Sequence, residues 1–83
     1  MHKDEIPSGK PFYVFWIVNG GAEEQTEWLS EHVAYMTFRE RVSDFTMHLI
    51  YRNGGEDKQI HFEIGVYNAE IEKTITRIIH MPS

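Results

Sequence analysis

Eighty-three residues make one small domain, with no cysteine to staple it and a formal net charge of −5. That charge argues against a nucleic-acid backbone or an anionic membrane surface as partner, since both attract surplus Lys and Arg. The longest apolar run, Phe12 to Val18, is too short to cross a bilayer, and the first residues carry no signal-peptide pattern, so a soluble cytoplasmic protein is the expectation.

Residues 1–11 are polar and hold Pro7, Ser8, Gly9 and Pro11, which reads as a mobile N-terminal tail ahead of a single domain over residues 12–83. Phe12 to Val18 reads as a strand that is apolar on both faces, ended by a tight turn at Asn19-Gly20-Gly21. Phosphate-binding loops also lead from a strand into a helix, but Glu23, Glu24 and Glu27 would repel a phosphate there and no Lys accompanies the glycines.

The next segment predicts a helix over roughly residues 23–41. Ala22, Leu29, Val33 and Met36 recur at helical spacing, and Trp28, Tyr35, Phe38, Val42 and Phe45 form a second row that runs past them. Ser43-Asp44 is read as the turn that follows. A hairpin is then predicted from two alternating runs, Phe45, Met47, Leu49, Tyr51 and Ile60, Phe62, Ile64, Val66, joined through Asn53-Gly54-Gly55. The last segment, Ala69 to Met81, fits two states. Ile71, Ile75, Ile78 and Ile79 suit one face of a helix that Asn68 could cap, while six β-branched residues favour a strand.

The fold class that follows is α+β: a small antiparallel-rich sheet on one main helix, in the order β-α-β-β and then α or β. With the third strand between the first and second, this is an incomplete ferredoxin-like arrangement, as architecture alone. Trp16, Leu29, Val33, Leu49 and Phe62 are the expected core around the sheet–helix interface.

Candidate functional residues fall into three groups. If Phe12, Val14, Trp16 and Val18 face the helix, then Tyr13, Phe15 and Ile17 face away. Ile50 and Tyr67 are out of phase with the hairpin core and join them, which makes an aromatic surface to be covered by the chain's own tail or, as the functional reading, by a second chain or a ligand. Glu23, Glu27 and Glu31, spaced i, i+4 and i+8, would form an acidic ridge suited to a basic protein partner. His48, His61 and Glu63 would share one hairpin face, where two histidines and a carboxylate could ligate a divalent metal or act as an oriented base. A polar cross-strand pair is the reading adopted for them, with no metal and no cofactor. RNA binding on the open sheet face has aromatic support from Tyr13, Phe15 and Tyr67, but Glu63 among them and the acidic chain count against it.

The chain has no cysteine nucleophile, no glycine-framed serine and no evident carboxylate pair, so no catalytic residue is assigned. The expected function is a non-enzymatic protein-interaction domain, an inhibitor or small regulatory subunit of the sort that phage and mobile elements encode. Self-association as a homodimer is expected, because a small core gains from a partner. The alternative is a small dimeric α+β enzyme or ligand-binding protein with a histidine in its pocket.

Overall fold

The computed structural model describes residues 6–52 and 61–81, with side chains left undescribed from 48 to 52. Among these residues, four antiparallel strands form one open sheet and one helix packs on it: β1 (Phe12–Val18), β2 (Glu24–Gln25), α1 (Glu31–Arg52), β3 (Phe62–Asn68) and β4 (Lys73–His80). The strand order is β2-β1-β3-β4. The α+β class and the single main helix therefore hold. The long strands flanking α1 are direct antiparallel neighbours, without the inserted strand of a ferredoxin-like split unit.

β1 is interior. Its seven residues pair with β3 from Phe12↔Asn68 to Val18↔Phe62, and its other side is taken by the chain itself, through Phe15↔Gln25, Trp16↔Glu24 and a bridge from Phe12 to Leu29. A strand apolar on both faces is at home there. An order with the third strand between the first and second predicts the first strand at an edge, open to a second chain, and that expectation is corrected: β1 has a strand on each side. Asn19 and Gly20 take positive φ values of 49° and 72°, and the Gly21 N–H closes the turn on the Val18 carbonyl. Consecutive left-handed residues match the twist of the strands they join. Asn19 also ties β1 to β3, since its N–H donates to the His61 carbonyl and its side-chain oxygen accepts the His61 N–H.

The helix lies eight residues later than its predicted start. Residues 23–30 cannot be helical because their backbone serves the edge of β1. The Thr26 N–H donates to the Val14 carbonyl, the Thr26 hydroxyl accepts the Val14 N–H, and Phe12 and Leu29 exchange both backbone bonds. α1 starts only after Ser30, a favoured N-cap residue whose carbonyl accepts the Ala34 N–H, with Glu31 in the first turn. It then runs 22 residues without meeting Gly or Pro, straight through Ser43-Asp44. Phe45, Met47, Leu49 and Tyr51 are accordingly helical, and the predicted hairpin over 45–66 does not exist; its turn, Asn53 to Lys58, and Ile60 lie outside the described residues. The row Phe38, Val42, Phe45 was the operative signal, since with Ala34 it forms the stripe that packs on the sheet.

The real hairpin joins β3 to β4, so the strand alternative for Ala69 to Met81 holds over Lys73–His80, with residues 69–72 as the turn. Asn68 caps a turn rather than a helix: its side-chain oxygen accepts the Glu70 N–H, and Glu72 takes φ 54° on the way into β4. Six β-branched residues outweigh the helical spacing of the isoleucines.

The core lies between α1 and the face of the sheet that carries Phe12, Val14, Phe62, Ile64 and Val66, with Ala34 of the helix enclosed against them. Trp16, Leu29 and Phe62 join it as expected. Val33 does not, being 44 % exposed, and the Leu49 side chain is outside the description. Pro11 is buried and its carbonyl accepts the Ala69 N–H, so the packed body begins there.

Candidate interaction surface

Alternation along β1 places Tyr13, Phe15 and Ile17 on the sheet face opposite α1, and the register with β3 sets Tyr67, Gly65 and Glu63 beside them. Among the described residues no helix covers this face. Four of the predicted surface residues, Tyr13, Phe15, Ile17 and Tyr67, are thus brought together. Ile50 is not, because it belongs to α1.

The face is ordered by ring contacts. Tyr13 stacks on Tyr67 with centroids 5.0 Å apart, and meets Trp28 edge-on at 5.5 Å and Phe15 edge-on at 6.4 Å. The outer end of the Phe15 ring lies over Gly65, where a β-carbon would collide with it, and Phe15 is only 6 % exposed although no helix among the described residues lies above it. Glycine in a central strand is otherwise unfavourable, so its role here is to admit that ring.

Trp28 is the residue that the sequence placed wrongly, on a helical row. The bridge between Phe12 and Leu29 turns Leu29 to the helix side, and alternation turns Trp28 to the open side against Tyr13. Trp28 also lines a groove of about 410 Å³ together with Pro7, Lys10, Glu27, Leu29, Ser30 and Val33. The aromatic strip therefore continues from Tyr67 through Tyr13 and Trp28 into an apolar groove at the start of α1. A Trp next to a Leu, followed by a Ser-Glu helix start, was the available cue for an extended segment.

The acidic ridge does not form on a helix. Glu23 and Glu27 precede α1, and only Glu31 lies in it. All three are exposed, as is Glu24. Glu23 is close enough to Tyr13 to act on its phenol: burial, then the Glu23 carboxylate, then Tyr67 push the Tyr13 pKa above its ordinary value of 10.0. Glu24 turns the other way and accepts the Trp16 indole N–H at 2.8 Å, while the Arg41 guanidinium sits 4.1 Å over that ring.

The three metal candidates are separated in kind. His48 is on α1, His61 precedes β3, and Glu63 on the open face pairs with Arg77 of β4 at 3.6 Å. The hairpin that would have aligned them is absent. Among the described residues, no three His, Asp or Glu side chains could hold an ion. No helix among these residues is long and apolar enough to cross a membrane.

Comparison with known proteins gives no match: no family model, curated protein or solved structure is similar to this chain.

Proposed function

We propose that this chain is a non-enzymatic protein-interaction domain, an inhibitor or small regulatory subunit that acts by binding another protein. The observation that carries this reading is the continuous strip of Tyr67, Tyr13 and Trp28 opening into the groove beside Leu29 and Val33. Tyr and Trp supply large, stiff contact area at low entropic cost and dominate binding energy where a groove excludes water. Glu23 acts on Tyr13 within the strip and Glu27 lines the groove, against one lysine, Lys10. That balance suits a basic partner surface, with charge speeding the encounter and the rings supplying the affinity.

The test starts from proteins of the native host that crosslink to the immobilised chain. Each is then measured by calorimetry against the unmodified chain and the Trp28→Ala and Glu23→Gln variants. Trp28→Ala should weaken binding by about tenfold or more, and Glu23→Gln should reduce its salt dependence. Binding unchanged by both substitutions would move the interaction off this surface.

A further inference from the structure

The two edges of the sheet are finished differently. β2 is two residues long and lies among Glu23, Glu24 and Glu27, so that edge is short and acidic, as natural edges tend to be. β4 is eight residues long, and among the described residues its strand neighbour is β3 alone. It contains no Pro, no Gly and no carboxylate. Ile78 and Ile79 point to opposite faces and are 42 % and 44 % exposed. Such an edge is a template for another strand.

We infer that β4 pairs antiparallel with β4 of a second copy, joining two sheets into one across a two-fold axis. An axis perpendicular to the sheet sets residues of the same face opposite each other. On β4, His80, Ile78 and Thr76 share the helix side, as their pairing with Phe62, Ile64 and Val66 and the stacking of His80 on Phe62 establish. Ile79 and Arg77 share the open side. Only some registers suit that symmetry. Centring on Arg77 sets two guanidinium groups face to face, which is destabilising. Centring on Ile78 sets Ile78 against Ile78 of the second copy, Arg77 against Ile79, and Thr76 against His80.

This register opposes no like charges and buries the exposed isoleucines. It uses residues 76–80 and stops before Ile75, the extra residue where the β3–β4 register shifts. Arg77 brings no unbalanced charge to the junction, since Glu63 neutralises it within the chain. Both helices then lie on one side of the joined sheet, and the aromatic strip of each copy stays free on the other.

The chain has no cysteine, so one introduced thiol reports the register directly. Ile78→Cys should oxidise to a covalent dimer at micromolar concentration, because the two β-carbons would face each other across the axis. Ile71→Cys, in the exposed β3–β4 turn, should crosslink far more slowly. Sedimentation of the unmodified chain should give twice the chain mass, and Ile78→Glu should weaken association by about tenfold or more through directly opposed carboxylates. A monomeric mass for the unmodified chain, or equal crosslinking of the two thiol variants, would overturn the inference. Either result would leave the role of the Trp28 strip untouched, since the surfaces are separate.

Discussion

On the face turned to α1, Val14, Ile64 and Val66 are fully enclosed beneath the helix, whereas on the opposite face Phe15 is enclosed by lying on Gly65 between its neighbours. The first face is closed by a second layer of structure. The second is closed by the sheet's own side chains, through aromatic rings that touch one another across β1, β3 and the segment before α1. Aliphatic side chains alone could not do this, because a sheet face without a covering layer leaves them in water. Rings can shield each other edge to face while still presenting a surface. Among the described residues the open face is thus packed yet uncovered, which is what the proposed binding surface requires.

The largest effect should come from the helix-covered face. Ile64→Ala removes a fully enclosed side chain from the centre of β3 and should lower the unfolding free energy by about 2–5 kcal/mol in chemical denaturation. A loss below about 1 kcal/mol would mean that this face can collapse around the cavity, and the contrast with the open face would fail. Gly65→Ala tests the other face. Its added methyl meets the Phe15 ring and should cost about 1–3 kcal/mol by overpacking. Combining it with Phe15→Leu should cost less than the two singles together, because the site of conflict is shared.

These two positions also show how legible the fold was. Alternation along Phe12 to Val18 is enough to separate the two faces of β1 and phase alone puts Tyr67 on the open face, while its place beside Tyr13 comes from the β1–β3 register. Gly65 gave no sign of its purpose, since a glycine between Ile64 and Val66 becomes meaningful only once the register places it under Phe15. The helix was misplaced because residues 45–51 satisfy two periods at once. Phe45, Met47, Leu49 and Tyr51 alternate, while Ala34, Phe38, Val42 and Phe45 share a helix face, and it is the longer row that the packing against the sheet selects. The edge filled by residues 24–29 was unreadable for a different reason: it depends on backbone bonds from Thr26 and Leu29 to β1, which leave no pattern of apolar residues.

A smaller effect is expected where packing and binding separate. Trp28→Ala removes a half-buried ring that meets Tyr13 edge-on, and should cost only about 1 kcal/mol of stability. Partner affinity should fall by more than that. A stability loss as large as that of Ile64→Ala would make Trp28 a core residue and weaken the case for the strip as a surface.

The smallest expected effect concerns Tyr13 and its pH dependence. Its pKa in the folded chain is raised above 10.0, first by burial and then by the Glu23 carboxylate and Tyr67. The folded chain therefore holds the phenol proton more tightly than the unfolded chain does. The sign follows from linkage: the stabilisation is fully present below the unfolded value, and it is lost as pH rises through the higher folded value. Unfolding midpoints should accordingly decline above pH 10.0 in the unmodified chain, and less so in Tyr13→Phe, which has no proton to lose. Glu23→Gln should bring the tyrosinate absorbance change to lower pH by removing the nearby negative charge. It should not restore it fully, since burial is the larger cause. If Glu23→Gln leaves the titration where it was, the carboxylate does not border the ring, and the acidic rim would have to be drawn elsewhere around the open face.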